Sequence, residues 1–139
     1  MPTLHITLCP PQNPARHQAL AEALTAITAS TLGKRAEVTA VLIDERLTTR
    51  WTIGGKAPRQ PTAWLEIKVT AGTNSAEQKA AFIAAAFAEL QQQLAPGDEL
   101  EAASYVIVHE LPATDWGYGG QTQRARQLAR ERSAEPHLA

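Results

Sequence analysis

Proline stands directly behind Met1 in this chain. Once Met1 is removed, Pro2 carries a free secondary amine, a group that no other residue type supplies. A free α-amino group titrates at about 7.7–8 in model peptides, and an apolar pocket or a nearby cation lowers that value. An amine poised near neutrality suits proton transfer next to a carbonyl. With Met1 retained, the same nitrogen is an amide and is neither basic nor nucleophilic. In that case Pro2 merely opens an edge strand, where the missing N–H costs nothing.

The next signal is a recurrence. Trp51 to Gly55 reads W-T-I-G-G, and Trp116 to Gly120 reads W-G-Y-G-G. Val41 and Val106, Glu45 and Glu110, Thr49 and Thr114 share the same offset as these tryptophans and glycines. A repeat on this scale is one structural unit used twice. The glycine pairs permit positive φ and hence a tight hairpin in each copy. Trp51 and Trp116 offer an apolar wall for a ligand or packing at a subunit boundary. Arg46 and Arg50, in the loop after the second strand, reach either a substrate across such a boundary or solvent. Other chemistry is poorly supported. His109-Glu110 lacks the second histidine of a zinc-protease helix. His5 and His17 have no metal-ligand spacing. Gly117 to Gly120 lacks the third glycine of a dinucleotide loop. We therefore expect neither a metal nor an organic cofactor.

The elements that position these residues follow from periodicity. Leu4, Ile6 and Leu8 alternate with His5 and Thr7, a half-buried strand. Asn13-Pro14 is a helix start, Leu20, Leu24, Ile27 and Thr31 its apolar stripe, and Gly33 its stop. Lys34 and Arg35 follow at the negative end of that helix. Val38 to Ile43 is an apolar run expected to form a central strand covered on both faces. The second copy repeats the scheme: Leu65, Ile67 and Val69 in a strand, a Ser75/Gln78 capping box, and an Ile83, Phe87, Leu90, Leu94 stripe. Pro96-Gly97 is the stop, and Tyr105 to Val108 the last strand. Repeat one spans 2–57, a proline-containing linker 56–61, repeat two 61–120, and an arginine-rich tail 121–139. The tail could form a short helix, but it lacks an apolar stripe and is expected to be a frayed or partner-dependent end.

Strand, helix, strand in each copy predicts parallel pairs joined by right-handed crossovers. The expected fold class is α+β, an α/β sandwich of four strands with two helices on one face. The bare face then needs a second subunit, so an oligomer is expected. The chain has 139 residues, 44% of them hydrophobic and 19% charged, with a formal net charge of -1, which excludes a global attraction to nucleic acid or anionic membrane. No apolar run reaches the length of a membrane span, no secretory signal is visible, and Cys9 is the lone cysteine; a cytoplasmic location is expected. Cys9 itself reads as a small buried hydrophobe.

Pro2, the doubled β-α-β pattern and V-L-I-D-E-R-L-T-T-R-W-T-I-G-G together resemble the tautomerase superfamily, specifically fused members of the 4-oxalocrotonate tautomerase group. The resemblance covers about residues 2–120. It implies a homotrimer and an amino-terminal proline acting as general base. It also implies arginines that are absent here: the matching positions hold Gln12 and Ala40, and Thr73 and Tyr105 in the second copy. The run L-G-K-R-A-E-V-T-A-V is similar instead to macrophage migration inhibitory factor. That similarity implies Lys34 as the carboxylate ligand and Tyr105 as a residue reaching a neighbour's site. The implied activity is enol–keto interconversion of a 2-hydroxy-2-alkenoate and its 2-oxo acid, without cofactor. Two alternatives stay open. One is Pro2-dependent hydration or dehalogenation of unsaturated acids, with Glu45 or Glu110 activating water. The other is an inactive oligomeric scaffold.

Overall fold

The computed structural model describes residues 2–134. Strand β1 (Thr3–Cys9), helix α1 (Pro14–Leu32) and strand β2 (Ala40–Glu45) form the first repeat; β3 (Thr62–Thr70), α2 (Ala76–Leu94) and β4 (Tyr105–Leu111) form the second. The sheet order is β2-β1-β3-β4. Both outer pairs are parallel, and the central β1–β3 pair is antiparallel. Each repeat is thus a parallel β-α-β unit, and the two join back to front at the middle of the sheet.

Local chemistry sets the helix ends. The Asn13 side chain accepts from the Arg16 N–H at 2.8 Å, and Pro14 fills a first-turn position where no N–H is required. Gly33, at φ 67°, turns the chain out of α1 in the left-handed region that glycine tolerates. Ser75 and Gln78 make both bonds of the capping box at the start of α2. The two helices share one face of the sheet. Leu20, Leu24, Phe82 and Leu90 pack there over Leu4, Ile6, Leu65 and Ile67 in one continuous core.

The buried stripes are shifted from those read off the sequence. In α1 the fully buried positions after Leu24 are Thr28 and Leu32, while Ile27 and Thr31 lie beside them, half-buried. Thr28 is admitted to the core because its hydroxyl donates to the Leu24 carbonyl at 2.7 Å. In α2 Phe82 and Ala86 face the sheet, Ile83 is exposed and Phe87 is half-buried. Alanines on every side of both helices blur the phase of the apolar pattern.

The strand expected from Val38 begins instead at Ala40, because Ala36–Val38 form a 3₁₀ turn closed by the Thr39 hydroxyl on the Arg35 carbonyl at 2.7 Å. β4 runs on to Leu111, held by pairing with β3. β2 is an edge strand, not a central one, and so is β4. The second apolar side of their runs points to the bare face of the sheet, where Leu42 is 60% and Tyr105 55% exposed. His5 and Asp44, 2.6 Å apart, and the aromatic pair Trp64 and Tyr105, tilted at 48° with centroids 5.5 Å apart, lie on the same face.

After each repeat the chain makes the expected hairpin. Gly54 and Gly55 have φ 62° and 77°, and Gly119 and Gly120 have φ 61° and 79°. Two consecutive positive φ values mark the turn type that matches strand twist. In the second copy the hairpin pairs β5 (Gly117–Tyr118) with β6 (Gln121–Thr122). The tail is a regular helix, α3 (Gln123–Ala134), and not a frayed end over these residues. Thr122 caps it, its hydroxyl accepting from the Ala125 N–H at 2.9 Å. Arg126 lies 3.8 Å over the Tyr118 ring and donates to the Tyr118 carbonyl at 2.9 Å. Gln123 is buried. Polar and cation–π contacts seat α3, so apolar periodicity gives no sign of it. The remainder of the tail, 135–139, lies outside the described residues.

Phe82 tests the core phase. It is 0% exposed, so Phe82→Ala is expected to cost about 3–5 kcal/mol in urea unfolding, against less than about 1 kcal/mol for Ile83→Ala.

Candidate active site

Strand direction decides which residues meet. Thr3 pairs with Ala40 on one side and Lys68 on the other, so Pro2 lies at the end of the sheet where β3 finishes at Thr70. α1 runs antiparallel to β1, and its carboxyl end returns to the same place. Pro2 itself is buried.

At this end of the sheet is a cavity of ≈ 240 Å³. Lys34 and Arg35 line it from the end of α1, and Thr70 and Thr73 from the end of β3. Gln123, Gln127 and Arg130 of α3 close the other side. Gly33 hands Lys34 to the cavity, since the left-handed residue ends the helix one position earlier. The Lys34 ammonium donates to the Thr73 hydroxyl at 2.8 Å, and that hydroxyl donates to the Thr70 carbonyl at 2.7 Å. Burial holds the Lys34 pKa below the ordinary lysine value, and the Arg130 charge lowers it further.

The other candidates divide between the two ends of the sheet. Trp116 follows β4 at the Pro2 end, its carbonyl accepting from the Gln123 N–H at 2.9 Å. Trp51 and Arg50 lie at the opposite end, lining a groove of ≈ 400 Å³ with Thr7 and Trp64. Tyr105 begins β4 at that same far end, paired in register with Trp64. Arg46 is exposed, and its guanidinium donates to the Glu45 carbonyl at 2.9 Å. Within one chain, then, Pro2, Lys34 and Trp116 share an end, whereas Tyr105, Arg46, Arg50 and Trp51 do not join them. Arg130 was not singled out from the sequence. The signal that would have found it is Thr122 as a cap ahead of a Gln/Arg/Ala run of good helix formers.

Glu45 and Glu110 have matching structural duties. Glu45 accepts from the Gln12 backbone N–H in the loop after β1 and lies 3.0 Å from His17 Nε2 in the first turns of α1. Glu110 accepts from the Gly72 N–H at 3.0 Å in the loop after β3 and pairs with Lys79 in α2. Each carboxylate ends the second strand of its repeat and ties down the loop after the first. The Gln12 N–H, then His17, hold the Glu45 carboxyl below the usual range; Lys79, then the Gly72 N–H, do the same for Glu110. These bonds explain why both repeats keep glutamate there.

No protein-family sequence model matches the chain, and no curated protein sequence does. Solved structures do. The asymmetric trimer of the R7 fused 4-OT (4-oxalocrotonate tautomerase) is 27% identical, with a TM-score of 0.76 over 90% of this chain and 98% of that one. A native fused 4-OT is 32% identical, with a TM-score of 0.73 over 88% of this chain and 97% of that one. Macrophage migration inhibitory factor of Toxoplasma gondii is 20% identical, with a TM-score of 0.70 over 86% of this chain and 98% of that one, a likeness of fold alone. The chain belongs to the tautomerase superfamily and has the fused 4-OT architecture. Among the described residues no helix is long and apolar enough to cross a membrane.

Because the folded Glu45 carboxyl is depressed, its contribution is present above the ordinary glutamate pKa of about 4.3 and is lost as pH falls through the lower folded value. Glu45→Gln is therefore expected to be less stable than wild type at neutral pH. The gap should close as urea melts are carried below pH 4 or so.

Proposed function

We propose that this protein is a cofactor-independent keto–enol tautomerase acting on short unsaturated 2-hydroxy acids, with Pro2 as general base after removal of Met1. The observation that carries this reading is Lys34: a half-buried ammonium in a cavity at Pro2's end of the sheet, with no carboxylate partner among the described residues. Pro2 is buried, and burial lowers the pKa of an amine, which would leave Pro2 free to accept a proton near neutrality once Met1 is removed. In the reaction the Pro2 nitrogen takes the proton of the 2-hydroxyl group. The resulting enolate, a dienolate in the case of 2-hydroxymuconate, is then protonated at carbon by the prolinium, giving the 2-oxo acid. Lys34 holds the carboxylate.

The enolate oxygen needs a donor. Tyr105 has a hydroxyl, but it sits at the far end of its own chain, so it serves Pro2 only from a neighbouring subunit. A homotrimer meets that need and covers the bare sheet face; the R7 and F6 fused 4-OT neighbours are trimers. The hydration and dehalogenation reading needs a carboxylate to activate water. None lines the Lys34 cavity, and Glu45 and Glu110 are occupied with loop N–H groups.

The test is ketonisation of phenylenolpyruvate and of 2-hydroxymuconate, followed by ultraviolet absorbance, with loss of Met1 checked by intact mass. Wild type is expected to exceed buffer clearly, and Pro2→Ala to fall by about 10²-fold or more. Equal rates for the two proteins would refute Pro2 as the base. Active-site titration should find one reactive secondary amine per chain, since the Pro61 nitrogen lies within a peptide bond.

A further inference from the structure

Lys34 and Arg130 come to one cavity from distant parts of the sequence. Lys34 follows α1, and Arg130 belongs to α3, beyond both repeats. The charged residues lining the cavity are Lys34, Arg35 and Arg130, all basic. Arg35 is paired with Glu37 at 3.0 Å. Among the described residues, neither Lys34 nor Arg130 has an acidic partner. Two like charges line ≈ 240 Å³, Lys34 half-buried and Arg130 exposed on the face of α3 that closes the cavity. The buried Gln123 and the Arg126–Tyr118 contact fix α3 independently of Arg130. The Lys34 ammonium spends one donor on Thr73 and has two left. A cavity walled by cations, threonine hydroxyls and glutamine amides is one an anion would complete.

We propose that Arg130 is a substrate-binding residue: with Lys34 it grips one carboxylate of the substrate, which makes the C-terminal helix part of the active site. A planar guanidinium and an ammonium together bind a carboxylate more firmly and with more orientation than a lysine alone. The nature of the acid rests on the tautomerase reading; the clamp does not.

The experiment measures binding of 2-oxopentanoate, a saturated 2-oxo acid, to the full-length assembled protein by calorimetry, alongside turnover of phenylenolpyruvate. Arg130→Gln is expected to weaken binding about tenfold or more and to raise KM with little change in kcat. Arg130→Lys should keep most of the affinity. In Arg130→Gln the alkaline loss of binding should also move to higher pH, because Lys34 loses the repulsion that lowers its pKa. Trp116 emission, isolated from that of Trp51 and Trp64 by difference against a Trp116→Phe control, reports the seating of α3, since the Trp116 carbonyl accepts from the Gln123 N–H. Wild-type affinity in Arg130→Gln would overturn the proposal. So would equal losses in Arg130→Gln and Arg130→Lys with altered Trp116 emission, which would make Arg130 a residue that holds the helix. Arg130-dependent binding without any turnover would refute the tautomerase reading and leave the clamp standing.

Discussion

The antiparallel pairing of β1 with β3 is the constraint on which the rest of the molecule depends. Each repeat alone is a parallel pair with one helix, too small to close a core. Pairing Leu4 with Ile67, Ile6 with Leu65 and Leu8 with Ala63 aligns the apolar sides of the two units. The helices then meet over one continuous layer of buried side chains. A slip of one residue would turn every one of those side chains to the bare face. The same pairing reverses one repeat against the other, so the start of β1 faces the end of β3. Pro2 is thereby brought to the loop that carries Thr73, and Lys34 arrives with the returning end of α1.

The duplication is visible in its fixings as much as in its strands. Glu45 and Glu110 each anchor the loop at the far end of the neighbouring strand, one with His17 and the other with Lys79. The cation differs while the geometry is retained, because what the loop requires is a carboxylate on its backbone N–H. The two glycine hairpins are likewise fixed by backbone conformation. Their sequels differ: the second hairpin is followed by α3, and a Cβ at Gly117 would lie 1.9 Å from the Gln121 carbonyl. That close approach brings β6, and with it α3, against the end of the second repeat.

Symmetry is broken where chemistry is proposed. Only the first repeat begins with a proline behind Met1, and the cavity at that end of the sheet is closed by α3, which follows the second repeat and has no counterpart after the first. Lys34 and Arg130 give that end of the sheet a strongly basic cavity within a chain of net charge -1. The opposite end carries Arg50, Trp51 and Trp64 around an open groove, with Tyr105 beside it. Two dissimilar ends on one subunit are what an assembly needs if each pocket is built from more than one chain.

The sequence by itself determined the repeat, the secondary elements, the caps and hairpins, and the candidacy of Pro2. These rest on contiguous residues: alternation along a strand, Asn13 and Ser75 ahead of helices, glycines where φ must be positive. It did not determine the phase of the helix stripes, since alanine packs equally well on either side of the true face. Nor did it show how α3 is seated, by a capping hydroxyl and an arginine over a tyrosine. Only the tertiary structure decided that Lys34, Thr73 and Arg130 line one cavity while Tyr105 and Trp51 lie at the other end. That assortment follows from strand direction and register across the β1–β3 seam, a relation between segments that no single segment encodes.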